Sequence, residues 1–272
     1  MRTDGFVLRE FQGIPYYSCR ALEELPGLNH GFSTRRGGAP ADAGCGFNLG
    51  EVSWDSRERI HENRNRFLSA IRLEGTLFAT LNQVHSDRVY IIRDISGQWN
   101  PPVGDALATR LEDVALAVQV ADCMPVLLAD PVTKAIAAVH SGWRGTLSHV
   151  MLKTVREIQK SFGVDPANLL AVIGPGIRSC CFEVGPEVAE RFTKEFPECH
   201  LAKPVGTNPE KYFVDLCEAL RADLETAGIK AENRHDLGLC TCCNTGQFFS
   251  NRAEGERAGR MMAVIGRVSR RI

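Results

Sequence analysis

The 272-residue chain has no run of about 18 or more uninterrupted apolar residues, so nothing in it reads as a membrane span. An excess of one charge sign is missing too. Lys and Arg number 32 against 33 Asp and Glu, a net charge of −1 that leaves no basic surplus for a nucleic-acid backbone. The absence of low-complexity tracts, internal repeats and long polar linkers excludes disordered, collagenous and solenoid classes. Residues 1–10 carry no apolar stretch of signal-peptide length, so the protein is expected to be cytoplasmic. Cysteine is present but sparse, 10 residues in 272, which in a long chain without a signal points to reduced thiols or metal ligands rather than a disulfide scaffold.

Apolar periodicity supplies the fold. Ile14–Cys19, Val114–Val120, Val126–Ala129, Ala135–Val139, Leu169–Ile173 and Met261–Ile265 have the length and the small or β-branched composition of buried strands. A polar, Arg-rich helix is predicted over 56–70 with Ile60, Phe67 and Leu68 on one face. A second helix carries Leu147, Val150, Met151, Val155, Ile158 and Phe162 at helical spacing, with Thr146 as N-cap and Gly163 just past its end. Asp215 and Glu218 have capping-box spacing ahead of Leu216, Leu220 and Leu224, with Gly228 closing that helix. Thr34–Pro40 is a cationic, glycine-rich loop, and Gln98–Pro102 is a rigid turn. Strands and helices alternate without segregating, so a single mixed α/β domain over residues 1–272 is expected.

Three residues that can bind a metal stand at the ends of apolar segments: His85 in Asn-Gln-Val-His-Ser, Cys123 in Ala-Asp-Cys-Met-Pro, and His140 in His-Ser-Gly-Trp-Arg-Gly. If Asp130–Lys134 is a hairpin turn centred on Val132, Cys123 faces Ser141, one residue from His140, across a ladder whose opposing Cα atoms lie about 4.5–5.5 Å apart. Two imidazoles and a thiolate suit Zn²⁺ and leave a fourth position for water or substrate. Taken singly, a His or Cys on an apolar element is more often a packed residue than a ligand.

Asn-Gln-Val-His-Ser (82–86), Ala-Asp-Cys-Met-Pro-Val-Leu-Leu (121–128) and His-Ser-Gly-Trp-Arg-Gly (140–145) resemble the signature blocks of the laccase-domain family. These are the YfiH-type, "polyphenol oxidase"-named zinc-dependent purine nucleoside phosphorylases. Weaker matches follow in chain order: Gly-Phe-Ser-Thr-Arg (31–35), Phe-Asn-Leu-Gly (47–50), Gly-Asp-Ala-Leu-Ala-Thr (104–109), Ile-Gly-Pro-Gly-Ile (173–177), Phe-Glu-Val-Gly (182–185), Asp215-Leu216, Cys240-Thr241, Phe-Phe-Ser-Asn-Arg (248–252) and Ala-Gly-Arg (258–260). The resemblance implies a mixed α/β sandwich of sheets flanked by helices, with His85, Cys123 and His140 as zinc ligands. It implies phosphorolysis of adenosine and inosine, and the family is also credited with methylthioadenosine phosphorolysis and adenosine deamination. Gln119, where the family usually has Thr, and Asn251 and Ala253, in place of Tyr and Arg, depart from the pattern and bear on substrate preference rather than on the metal.

Phosphorolysis needs a cationic cradle for phosphate, and arginine's planar fork suits it. Arg35 beside Gly37 and Gly38, Arg144 four residues after His140, and Arg252 are the candidates. Cys123 and Arg144 are assigned to the reaction itself, and Asn48 and Gln83 are amides able to read ribose or purine. Arg36 and Arg88 read as solvated charges, and Glu183 as a surface carboxylate. Asp122, pointing away from Cys123, reads as a buried, hydrogen-bonded support. Cys240, Cys242 and Cys243 with the Cys180–Cys181 pair leave a second metal site open, a lone C-x-x-C being moderate evidence.

Three rivals are weighed against the phosphorylase reading. A multicopper oxidase lacks support because seven His include no His-x-His pair, although a His₂Cys set takes Cu²⁺ in vitro. A Cys-His or zinc hydrolase acting on a cell-wall precursor would use Cys123 as nucleophile and His140 as base. A non-catalytic binding domain would turn over no nucleoside. The zinc-deaminase signature, His-x-Glu followed by Pro-Cys-x-x-Cys, is absent.

Overall fold

The computed structural model describes residues 5–37, 46–94, 98–206 and 208–269; Gly38, Ala39 and Pro40 of the predicted cationic loop lie outside them. In chain order the elements are β1 (Phe6–Phe11), β2 (Ile14–Cys19), α1 (Arg20–Glu23), β3 (Leu28–Ser33), α2 (Arg57–Ala70), β4 (Leu77–Ala79), β5 (Val89–Ile92), β6 (Ala106–Thr109) and β7 (Val114–Val120). There follow β8 (Met124–Ala129), β9 (Ile136–Ser141), α3 (Trp143–Leu147), α4 (Val150–Phe162), β10 (Leu170–Ile173), β11 (Glu183–Val184) and α5 (Pro186–Glu195). The series ends with β12 (Ala202–Val205), β13 (Asn208–Val214), α6 (Leu216–Thr226), β14 (Arg234–Asp236), α7 (Asn251–Glu254) and β15 (Met261–Arg267).

Two six-stranded mixed sheets run β1-β2-β3-β15-β7-β4 and β14-β10-β8-β9-β6-β5, and a small third sheet is ordered β11-β13-β12. The large sheets pack face to face: Phe32, Leu116, Val118, Ala263 and Ile265 of one meet Leu107, Leu127, Ile136, Ala138 and Val172 of the other. The alternate residues of the same strands face outward and are covered in turn. Ala115, Ala117, Met262 and Val264 lie under Phe67, Leu68 and Ile71 in and beside α2. Ala106, Ala108, Ala137 and Val139 lie under Val150, Met151, Val155 and Ile158 of α4. Both faces of each central strand are therefore buried, which is why these segments read as continuous apolar runs instead of alternating ones. The result is the expected mixed α/β sandwich, helix over sheet over sheet over helix.

Two local expectations change. The β8–β9 hairpin pairs Met124 with Ser141 and Pro125 with His140, one residue out of the predicted register, and Cys123 precedes the ladder. The cause is the turn: the Asp130 carboxylate accepts the N–H groups of Val132 and Thr133 and the Thr133 hydroxyl. Lys134 adopts φ 68°, which closes a four-residue loop rather than one centred on Val132. The helix predicted from Thr146 is two helices, broken at His149 with φ 56°. The Thr146 hydroxyl caps nothing and instead bonds Gly142 O and the Ser141 hydroxyl. Gly163 (φ 69°) ends α4 and Asp215 caps α6, both as predicted, while Ser56, the first residue of the predicted 56–70 helix, serves as the N-cap of α2.

Buried His30 in β3 accepts the main-chain N–H of Cys19 at its Nε2, 2.8 Å away. Burial lowers its pKa to about 4, whereas the unfolded chain titrates it near 6.5. A base depressed on folding contributes stability that is complete above the unfolded value and is lost as pH falls from about 6.5 to 4. The stability difference between wild type and His30→Gln is thus expected to shrink by about 3 kcal/mol between pH 7 and pH 4. Urea unfolding at both pH values measures it, and an unchanged difference would contradict a neutral buried imidazole.

Candidate metal centre

His140 is the penultimate residue of β9, and its antiparallel neighbour β6 pairs Ala106 with Val139. That register sets Asp105 beside His140, which donates its main-chain N–H to Asp105 O at 2.8 Å. Nδ1–H of His140 also donates to Asp105 Oδ1, at 2.8 Å, which leaves Nε2 as the free ligand atom. The same carboxylate accepts the consecutive N–H groups of Val84, His85 and Ser86 (3.3, 3.0 and 2.6 Å) and the Ser86 hydroxyl at 2.6 Å. Asp105, fully buried, therefore places two of the three candidate ligands at once. His85 sits in this turn with φ 59°, a conformation that a non-glycine residue keeps only where its surroundings impose it.

Cys123 is delivered by a second strained residue, Asp122, at φ 87°. Asp122 is buried. Its carboxylate accepts the Thr241 hydroxyl and the Arg252 main-chain N–H, both at 2.6 Å, and its carbonyl accepts Ile177 N–H. The three ligand atoms of His85, Cys123 and His140 lie within 4.8 Å of one another. Cys123 Sγ is 3.7 Å from His85 Nε2, and a sulfur and a nitrogen bound to one tetrahedral Zn²⁺ lie about 3.6 Å apart. The donor set and its spacing fit a single ion. Burial works against the thiolate and against the imidazolium, yet the Cys123–His140 pair overrides it: His140 holds the thiol pKa down, and Cys123 with Asp105 holds the imidazole pKa up. Asp105 stays well below the usual carboxylate range despite its burial, through bonds from His140 and Ser86.

Gly142 lies against His85 and Cys123. Its backbone is ordinary, but a Cβ there would lie 2.6 Å from His85 Cδ2 and 3.0 Å from Cys123 Sγ. Gly142→Ala is expected to weaken metal retention about 10–100-fold with the fold intact. Metal content after dialysis against a graded chelator, beside the thermal transition, measures it; retention equal to wild type would refute the crowding argument.

The centre opens into a cleft of about 830 Å³ whose lining includes Arg64, Arg144, Arg252 and Arg260 with Glu51 and Asp122. Arg144 is exposed and stacks on Trp143, 4.2 Å from guanidinium carbon to ring centroid, and no carboxylate pairs with it among the described residues. Arg252 lines the cleft and donates to the carbonyls of Cys181 (3.1 Å) and Glu183 (2.9 Å).

Other predicted site residues are engaged elsewhere. Arg35 is committed to Glu254 and the Thr245 carbonyl, both at 2.8 Å, under the Phe249 ring, and does not line the cleft. Asn48 is buried, with its amide spent on Gly50, Asp55 and the Arg260 N–H. Gln83 reaches the cleft, but both ends of its amide bind the Gln119 main chain. Glu183 pairs with Lys211 on the surface. The departures Gln119 and Asn251 both line the cleft. Asp105, Arg64 and Arg260 went unassigned as site residues, although Asp105 lies in Gly-Asp-Ala-Leu-Ala-Thr and Arg260 in Ala-Gly-Arg, two of the weaker family blocks.

Residues 29–268 match the family described as multi-copper polyphenol oxidoreductase laccase. A purine nucleoside phosphorylase of Deinococcus radiodurans is 39% identical over 238 residues, covering 87% of this chain and 88% of that one. Adenosine deaminase RL5, from an unknown prokaryotic organism, is 35% identical over 244 residues, covering 86% and 92%. The crystal structure of Bacillus licheniformis hypothetical protein YfiH superposes with a TM-score of 0.85 at 28% identity, covering 98% of this chain and all of that one. Sequence blocks, sandwich architecture and these likenesses agree: the chain belongs to the laccase-like YfiH family.

Proposed function

We propose that residues 1–272 form one catalytic domain, a zinc-dependent purine nucleoside phosphorylase acting on adenosine, inosine and methylthioadenosine with phosphate to give free base and pentose 1-phosphate. The observation that carries this reading is the His85–Cys123–His140 group at the floor of a cleft lined by four arginines. The names of relatives support it: purine nucleoside phosphorylase for several, adenosine deaminase for one.

His85, Cys123 and His140 would hold Zn²⁺, and the chemistry such an ion supplies is Lewis acidity, with one coordination position left over by three protein ligands. The same set accepts Cu²⁺, so copper in a preparation does not argue for an oxidase. Arg144, whose guanidinium has no acidic partner among the described residues, binds phosphate and holds it against the ribose; Arg252 and Arg260 add N–H donors from the opposite segment. Trp143, Ile177, Phe182 and Leu216 give the cleft an apolar wall for the purine and exclude water from it. Deamination would instead add water at C6 of adenine and release ammonia in the same cleft, leaving the glycosidic bond intact.

The test is phosphate-dependent release of hypoxanthine from inosine by the zinc-loaded protein. Turnover that requires phosphate, with Arg144→Ala raising KM for phosphate about 10–100-fold at unchanged zinc content, is the expected result. Stoichiometric zinc without phosphate-dependent turnover of any of the three nucleosides would overturn the reading. The closeness of Cys123 to two imidazoles favours a second one, a Cys-His hydrolase, which predicts turnover in the presence of a chelator.

A further inference from the structure

The resemblance and the cleft leave the other cysteines without a role. The structure gathers four of them: the Sγ atoms of Cys180, Cys181, Cys240 and Cys243 all lie within 4.8 Å of one another. Cys243 Sγ is 3.5 Å from Cys180 Sγ and 3.3 Å from Cys181 Sγ. These gaps are well beyond a disulfide bond of about 2.05 Å. They are near the about 3.8 Å that separates two sulfurs bound to one tetrahedral Zn²⁺. A disulfide would satisfy two of the four, whereas a cation satisfies all of them. Cys240, the buried member, accepts main-chain N–H groups from Cys243 and Arg178, support of the kind that orients a thiolate ligand. Cys242, between them in sequence, is outside the group.

We propose that Cys180, Cys181, Cys240 and Cys243 form a second, structural zinc site, closed by four thiolates and separate from the His85–Cys123–His140 centre. The four thiols give up their protons on binding, and no electron transfer is involved. The site staples two segments that wall the cleft. On one side Cys181 and Glu183 offer their carbonyls to the Arg252 guanidinium, and Phe182 lines the cleft. On the other, Thr241, next to Cys240, holds the Asp122 carboxylate beside Cys123 and donates its N–H to Gly176 O. The lone C-x-x-C understated this site, because Cys180 lies 63 residues before Cys243 in the chain and the two segments meet only in the fold, beside the Gly176–Cys240 bridge.

The experiment counts metal by elemental analysis in protein purified with zinc, as wild type, Cys123→Ala and Cys180→Ser/Cys243→Ser. Two ions per chain are expected in wild type and one in each variant. Cobalt-loaded Cys123→Ala is expected to show the intense thiolate charge-transfer and tetrahedral bands of a four-sulfur site, whatever its activity. Should the double variant fail to fold, mercurial titration of wild type decides instead: one ion is expected to leave with a single thiol and the other only as four are consumed. Cys123→Ala that is folded but free of metal, with its thiols reduced, overturns the proposal. One ion in wild type that persists in Cys123→Ala supports this site and sinks the catalytic one, so the two readings fail separately.

Discussion

Cys123→Ala is expected to lower phosphate-dependent inosine turnover about 10³-fold or more while leaving the sandwich folded. Lewis acidity at such a centre is worth several kcal/mol in a transition state, and each 1.4 kcal/mol or so is a factor of ten in rate. The substitution removes one of the three proposed ligands and deletes the thiolate that raises the His140 pKa. It touches little of the core: Cys123 is half-buried, precedes β8, and packs at the edge of a small cluster around Phe248 and Phe249. Alkylation is the companion measurement. In zinc-loaded wild type the Cys123 thiol resists iodoacetamide, and removal of the metal by chelator exposes it. A Cys-His hydrolase reverses the pattern, with fast alkylation and turnover both insensitive to chelator. Activity retained in zinc-free Cys123→Ala would end the phosphorylase mechanism as drawn.

Asp105→Asn is expected to weaken zinc binding about 10–100-fold, the usual cost of losing a carboxylate behind a ligating histidine, and to destabilise the fold by about 3 kcal/mol. Its two oxygens accept five donors, and an amide has one oxygen. If the NH₂ replaces Oδ1, it faces Nδ1–H of His140 and forces the imidazole into the tautomer that protonates Nε2, the ligand atom. If it replaces Oδ2, it faces Ser86 and Val84, and the turn that holds His85 loses its anchor. Either placement damages one ligand and leaves a buried donor facing a donor. Zinc affinity by chelator competition, with thermal unfolding in excess zinc and in chelator, separates the two effects. Wild-type affinity in Asp105→Asn would show that the carboxylate only fills space.

The largest effects therefore fall on one residue chosen from sequence and one that was not. Cys123 stood out because a polar, nucleophilic side chain ended an apolar run inside a specific block. Asp105 did not stand out, since an Asp before Ala-Leu-Ala-Thr is ordinary turn chemistry until the β6–β9 register sets it against His140. The arginines divide in the same way. Arg144 is close to His140 in the chain and proved to line the cleft, whereas Arg35 meets Glu254 across 219 residues, a pairing that no local pattern signals. Arg64 looked like one more charge on a polar helix. Only the packing of α2 over its sheet points it into the cleft, with its guanidinium donating to Leu49 O at 2.7 Å.

By itself the sequence determined the core strands β2, β7, β8, β9, β10 and β15, the cap of α6 and the end of α4, and the three metal-capable side chains at the ends of apolar segments. These are local properties: a period of two or 3.6, a capping oxygen, a glycine where φ is positive, a polar residue closing an apolar run. The tertiary structure alone decided the one-residue hairpin register, the diversion of Arg35, Asn48 and Gln83 into structural bonds, the carboxylate behind His85 and His140, and the gathering of four cysteines. Each of these depends on which distant backbone or side chain satisfies a buried polar group. That choice is made by the packing of the sheets and helices, after local preference has been spent.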